Sequence, residues 1–335
     1  MIKSTKYMCD NTDMKSDPFS DILQLVRAQS VLTGSFSAGG RWSIRFAPMQ
    51  KIRFFVITKG SCILHGGEGD TLLHVETGDV LLLSRHPVTL SNDNDIEPVD
   101  ATSLYAENCE KVVQLGDGEA FSLLGGYVLL DPVSGGLLAD ALPSIIHIST
   151  SLPESNALKW LVEQLIWEKE NEFPGNLLAR SHLSQLIFVR VLRLYLASSP
   201  SLTAGWLRLI GDARLAPALK LIHGDPGRSW QLEGLARACA MSRTAFAVHF
   251  KATAGIAPLA YLIKWRMRLA EQALREEDIS VGSLASRLGY SSESSFSNAF
   301  KRTTGKSPRD CRKLGKNGEP DSLKPAGMGK DGQAQ

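Results

Sequence analysis

Long hydrophobic runs are missing from this 335-residue chain. No stretch reaches the roughly 18 uninterrupted apolar residues that a membrane-crossing helix requires. Arg190 and Arg193 break the most apolar run, so no membrane partner is expected. The opening residues, from Met1 to Asp17, are polar and lack the apolar core of a secretion signal, which predicts a cytoplasmic protein. Cysteine is also scarce. The five residues Cys9, Cys62, Cys109, Cys239 and Cys311 are odd in number, scattered, and never spaced C-x-x-C. That excludes a disulfide framework and a zinc knuckle and predicts free thiols in a reducing compartment. The glycine cluster Gly66-Gly67-Glu68-Gly69 has neither G-x-G-x-x-G nor Walker spacing, so it reads as a hairpin turn rather than a phosphate cradle.

Apolar residues make up 43% of the chain, enough for two domains with real cores. The net charge of +2 conceals an imbalance. Residues 206–314 carry 18 Lys and Arg against 9 Asp and Glu, whereas residues 1–205 carry 16 against 23. One half is suited to a polyanion and the other is not.

From about Arg41 to Asp131 the chain reads as strands, in short runs rich in Val, Ile, Phe and Leu between Gly and Asp turns. Examples are Ile52 to Ile57, Cys62-Ile63-Leu64, Thr71 to Val75, and Val80 to Leu83. Strands at this spacing fit a small barrel or sandwich. The period then becomes helical. Leu158, Leu161, Val162, Leu165 and Ile166 line one face of a helix over 154–170, which Pro174-Gly175 ends. A second helix over 176–197 is apolar nearly all round, which predicts burial of more than one face, in a packed position or a subunit interface. The fold class is therefore α+β. A flexible leader is expected over 1–17, a barrel-like sensor over 18–150, a helical dimerisation region and linker over 151–200, an all-α domain over 206–314, and a disordered tail over 315–335.

The basic half contains a repeat. Leu235-Ala236, Met241-Ser242, Phe246, Phe250-Lys251, Gly255 and Pro258 recur as Leu284-Ala285, Tyr290-Ser291, Phe296, Phe300-Lys301, Gly305 and Pro308. The offset is 50 from the first Phe onward and 49 before it, so the second turn holds one more residue. Each unit reads as a short helix, a turn, and a second helix capped by Ser242 or by Ser291/Ser292, with its Phe pair at i and i+4 facing inward. Gly255 and Gly305 stop these second helices. This is helix-turn-helix geometry, twice, joined by the amphipathic stretch 259–274.

The run Gly289-Tyr290-Ser291-Ser292-Glu293-Ser294-Ser295-Phe296, followed by Ala299-Phe300-Lys301-Arg302 and Gly305-x-x-Pro308, resembles the AraC/XylS family of regulators. The front half is similar to the cupin-type sensor domains of one branch of that family, through Lys59-Gly60-Ser61-Cys62, Gly78-Asp79 with Val80 to Leu83, and the passage from Leu124-Gly125-Gly126-Tyr127 to Leu142-Pro143. The resemblance implies sequence-specific binding of promoter DNA, RNA polymerase as a partner, activation, a homodimer, and an effector whose identity stays open. Carried over by position, it places Arg243, Thr244, Ala247, Val248 and Lys251 on the outward face of the first recognition helix. Glu293, Ser294, Ser297, Asn298 and Lys301 take the second, with Arg302 adjacent.

Side-chain chemistry divides these residues. Asn298 can pair bidentately with adenine, and Ser294 and Ser297 can bond several bases. Lys251, Lys301 and Arg302 suit phosphates. Glu293 has two readings, a carboxylate complementing the helix dipole or an acceptor for a cytosine amino group. Thr244, Ala247 and Val248 offer methyl contacts, leaving Arg243 and DNA shape to specify the first site. Arg266 and Arg268, on the connecting helix, are either phosphate contacts or its solvated face.

Competing classes need features the chain has little of. A cupin oxygenase would need metal ligands, and His65, His74, His86 and Glu76 show no His-x-His pair followed by a carboxylate, so surface histidines are the expectation and no cofactor is assigned. A DNA-repair fusion would need clustered cysteines. Nothing therefore predicts an enzyme, and the remaining rival is an architectural protein that bends DNA without regulating. In the strands, Cys62 reads as a buried small hydrophobe rather than a reactive thiol, and Trp42, Phe54 and Phe55 as core or as the lining of a ligand cavity.

Overall fold

A computed structural model describes residues 17–49, 51–93, 95–107, 112–150, 153–171, 173–198 and 205–317. The expected leader up to Ser16, most of the linker after Ser198 and the tail after Asn317 lie outside the described residues. The chain divides into two compact units, one of Asp17–Leu219 with Val248–Ile256, the other including Lys220–Ala247 and the residues from Ala257 on.

The first unit opens with α1 (Pro18–Leu25), whose N-cap Asp17 accepts from the Phe19 backbone N–H and whose Pro18 fits the first turn. Strands follow as β1 (Gln29–Ala38), β2 (Ser43–Phe46), β3 (Ile52–Lys59), β4 (Ser61–Gly66), β5 (Thr71–Glu76), β6 (Val80–Leu83), β7 (Val88–Ser91) and β8 (Val99–Asp100). Then come α2 (Ala101–Glu107), β9 (Val112–Leu115), β10 (Phe121–Leu129), α3 (Gly136–Ala139) and β11 (Ile145–Ile148).

The strands form a six-stranded sheet in the order β11-β6-β3-β10-β1-β9 and a five-stranded sheet in the order β5-β4-β7-β2-β8. Of the barrel or sandwich expected, two facing sheets are present, and they stay open and separate among the described residues. Strand spacing and turns report that strands exist but carry no information on closure. One face of the larger sheet meets the smaller sheet in a core of Phe36, Trp42, Ile44, Phe55, Ile57, Leu64, Leu81, Leu90, Phe121 and Leu123. The opposite face, through Phe54, Val56, Leu82, Leu124 and Val128, packs on helices. Residues alternate between the two cores along β3 because successive side chains of a strand point to opposite faces. The hairpin turn expected at Gly66 to Gly69 joins β4 to β5, with Gly67 and Gly69 at positive φ.

The helical layer is α4 (Asn156–Glu170), preceded by a 3-10 turn Pro153–Ser155, and α5 (Asn176–Ser198). Leu158, Val162 and Leu165 of α4 and Ile187, Phe188, Val191 and Leu192 of α5 enter the core over the larger sheet. Leu183, Val189, Leu194, Tyr195 and Leu196 pack against the same core, so α5 buries more than one face. Leu177, Leu178 and Leu186 remain exposed, as do Trp160 and Trp167 on α4 and Phe173 between the helices. No single helix among the described residues is long and apolar enough to cross a membrane.

Helices α6 (Trp206–Gly211), α7 (Ala216–Gly224), α8 (Leu232–Ala238), α9 (Arg243–Ala254), α10 (Pro258–Glu276), α11 (Val281–Arg287), α12 (Glu293–Thr304) and α13 (Pro308–Asn317) complete the chain. Of these, α6 lies in the first unit, α7 and α9 contribute residues to both, and the others belong to the second. In the second unit Met267, Ala270 and Leu274 of α10, Leu284 and Ala285 of α11, Phe296, Ala299 and Phe300 of α12 and Cys311 of α13 share one core. Pro258 and Pro308 start α10 and α13, where a missing N–H costs nothing.

Candidate nucleic-acid interface

The helix pairs α8–α9 and α11–α12 are built alike. Residues 239–242 connect the first pair and residues 288–292 the second, which is the single extra residue implied by the changed repeat offset. Ala240 holds the left-handed position of the first turn at φ 53°, and Gly289 that of the second at φ 78°. Ser242 caps α9, its Oγ accepting from the Ala245 N–H at 3.2 Å. Ser292 caps α12 by accepting from the Ser295 N–H at 3.2 Å. Gly255 and Gly305 end the two helices at φ 76°, their N–H groups donating to the Lys251 and Lys301 carbonyls. Phe246, Phe250, Phe296 and Phe300 are fully buried.

With the phenylalanines inward, the faces assigned from sequence point to solvent. Arg243, Thr244, Val248 and Lys251 of α9 are exposed, and Ala247 is half-buried. On α12, Glu293, Ser294, Asn298, Lys301 and Arg302 are exposed, and Ser297 is half-buried. Val248 is 65% exposed. Arg243 is ion-paired with Glu233 of α8 at 3.0 Å, a pairing that the spacing of the repeat did not reveal. Glu293 occupies the first turn of α12, where a carboxylate complements the helix dipole.

Arg266 is the clearest correction. It is 8% exposed, so it is neither a phosphate contact nor part of a solvated face. Its Nε donates to the Pro226 carbonyl at 2.6 Å and its Nη2 to the Arg228 carbonyl at 2.9 Å. Its guanidinium also lies 5.7 Å from the centre of the Tyr290 ring. Burial lowers its pKa from the ordinary arginine value, opposed by Tyr290 and Asp225. The loop it grips lies directly against the turn of the second helix pair, since a Cβ on Gly289 would come within 1.9 Å of the Gly227 carbonyl oxygen. Arg266 thus ties the loop after α7 to the start of α12. We expect Arg266→Met to destabilise the helical unit by about 2 kcal/mol, the scale of losing hydrogen bonds to a charged donor. Urea titration of the full chain checks this; a change below about 0.5 kcal/mol, the usual range for a surface substitution, contradicts it. Arg268 is half-buried and pairs with Glu271 at 3.4 Å, which leaves both readings of it standing.

In the first unit His65, His74 and His86 are exposed, His65 pairing with Asp70 at 3.0 Å. No group of three or more potential metal ligands occurs among the described residues. Cys62 is buried, and burial pushes its thiol up to about 12, far from a reactive thiolate. Trp42, Phe54 and Phe55 are buried as core. Trp42 packs against Phe121 with ring centres 4.8 Å apart, and Phe55 against Phe46 at 4.9 Å.

A sheet-rich unit in a chain that also carries paired, capped helices with outward-facing polar surfaces fits the class of helix-turn-helix transcription regulators. The cupin family matches residues 17–197, more than half of the chain. The helix-turn-helix domain family matches residues 235–314. An AraC-like transcription regulator of Streptomyces lividans is 37% identical over 89% of this chain and 98% of its own length. One of Streptomyces antibioticus is 35% identical over the same shares. The HTH-type transcriptional regulator AlkR of Acinetobacter baylyi is 30% identical over 82% of this chain and 91% of its own. The chain belongs to the AraC family, as a DNA-binding transcriptional regulator with an N-terminal cupin domain.

Proposed function

We propose that this regulator activates transcription by gripping a promoter through two helix-turn-helix units, α8–α9 and α11–α12, each reading DNA with its second helix. The observation that carries this reading is the repeated construction, in which an inward phenylalanine pair holds an outward polar face between a serine cap and a glycine stop. Arg243, Thr244, Ala247, Val248 and Lys251 form the first reading surface. Glu293, Ser294, Ser297, Asn298, Lys301 and Arg302 form the second. The charge balance of 18 to 9 over residues 206–314 supplies the non-specific attraction to phosphate.

In the same proposal, residues 18–150 sense a small effector in the cytoplasm, residues 206–314 hold the DNA, and RNA polymerase is the partner that reads the outcome. The helices α4 and α5 join two copies, because they leave the large apolar side chains of Trp160, Trp167, Leu178 and Leu186 exposed in one copy. Footprinting of the full chain across its neighbouring promoter is expected to protect a bounded site. Binding there should weaken linearly in the logarithm of salt, with a slope of about −0.9 per neutralised phosphate. Protection spread evenly along the duplex would instead identify an architectural protein, and affinity indifferent to salt would refute DNA binding through these faces.

A further inference from the structure

The layer of α4 and α5 does not close completely on the larger sheet. A cavity of about 410 Å³ opens between them, with Leu32, Thr33 and Leu124 on the sheet side and Lys169, Leu177 and Arg180 on the helix side. A second space of about 320 Å³ adjoins it, sharing Ser35 and Lys169 and reaching Lys59, Glu119 and Glu170. The sheet is irregular at this point. β1 shifts register against β10 between Leu32 and Gly34, which leaves Thr33 as an extra residue without a partner in the ladder. Such bulges recur beside functional sites because they redirect side chains.

Two cations converge here. Lys169 stands in the last turn of α4, Arg180 near the start of α5, and both line the same cavity. The Nε of Arg180 is buried and finds no hydrogen-bond partner among the described residues. Lys169 is held below the ordinary lysine range, first by burial and then by Arg180, with Glu170 and Glu119 opposing. A helix-dipole role accounts for a lysine in the last turn of α4. It leaves unexplained a second cation brought to the same cavity and a buried guanidinium nitrogen with no acceptor among the described residues. An anion between the two would relieve the repulsion and supply that acceptor, and a carboxylate suits a guanidinium best. The apolar side chains of Leu32, Leu124 and Leu177 complete the kind of pocket that holds a small organic molecule by its body and orients it by its charge.

We propose that this cavity binds a small organic carboxylate, its apolar body against Leu32, Leu124 and Leu177 and its carboxylate between Lys169 and Arg180. The ligand braces α5 against β1, on the same hairpin that carries the exposed Trp167, Leu178 and Leu186. It therefore names a ligand class for the proposed sensor, whose site then draws Lys169 and Arg180 from α4 and α5 beyond residues 18–150. Its effect on promoter binding rests on that reading, whereas the binding itself does not.

The test is calorimetry on the full chain with hexanoate and phenylacetate, each against its neutral amide. At least one acid is expected to bind saturably, one per chain, and at least about tenfold more tightly than its amide, the scale of a lost charge-assisted contact. Lys169→Gln and Arg180→Gln should each weaken it by about tenfold or more, while Lys169→Arg stays within about threefold. As a measurement on the unaltered protein, acylation of Lys169 by an activated acetyl ester should slow with the acid and not with the amide. The proposal is overturned if neither acid binds, if acid and amide bind alike, or if natively melting Arg180→Gln binds the acid as well as the parent does. Titrating the same preparation with promoter duplex keeps the two readings apart. Acid binding without promoter binding would sink the proposed reading faces and leave this proposal standing, and the reverse would do the opposite.

Discussion

Phe296→Ala is expected to lower the stability of the helical unit by about 3–5 kcal/mol, the cost of deleting a buried phenylalanine side chain and leaving a cavity. Phe296 is fully buried. Its ring meets Tyr290 edge-on with centres 5.5 Å apart and lies 5.8 Å from Phe300. Removing it takes away two aromatic contacts as well as buried area. It also unseats α12 from Leu284 and Ala285 of α11 and Met267 and Ala270 of α10, which share its core. A domain holds together by only about 5–15 kcal/mol, so this one change should bring the unit close to unfolding. Hydrogen exchange on the full chain separates the units. Amides of α11 and α12 should lose protection while those of β3 and β10 keep theirs. Equal loss in both units, or a loss under about 1 kcal/mol, would show that the phenylalanine does not hold this helix in the way its burial indicates.

That dependence explains why the helical half was legible in sequence. Its pattern is local: a phenylalanine pair four residues apart, a serine before it, a glycine after it, then a proline, each with one structural consequence within a single turn. Helices α4 and α5 were legible for the same reason, beginning and ending within about two residues of the apolar periods, the usual uncertainty of a helix end. The front half was harder. β1 starts at Gln29, ahead of the expected strands, and its alternation breaks at Thr33, where the bulge reverses which face each side chain takes. The pairing of strands distant in sequence, such as β3 with β10, has no local signature, so two open sheets could not be told from a barrel. Arg266 was misread because charge outweighed position. Leu262, Ala270 and Ala273 are buried on its side of α10, and an arginine spaced at four residues within such a stripe faces inward. The Lys169–Arg180 pair needed the fold, because nothing in the sequence brings the end of one helix and the start of the next over the bulge of β1.

Asn298→Ala should cost about 1–3 kcal/mol on the cognate site and relax preference at one base position, whereas Lys301→Ala should weaken all DNA alike. The contrast follows from where the two side chains stand and what they can bond. Asn298 lies between the buried Phe296 and Phe300 and is itself exposed, so its amide points away from the core, towards the groove if α12 enters it. A planar amide that places an N–H donor beside a carbonyl acceptor matches the edge of adenine, and its loss leaves that edge unread. Lys301 is in the last turn of α12 and ends in a mobile point charge that satisfies a phosphate in many positions. Losing it removes one neutralised phosphate, which lowers the salt slope by about one and leaves the order of preferred sequences unchanged. Titrating both variants against the protected promoter site, its single-base variants and random duplex measures each quantity directly. Equal loss on every duplex for Asn298→Ala, or an altered base preference for Lys301→Ala, would exchange or erase these roles while leaving the fold of α12 intact.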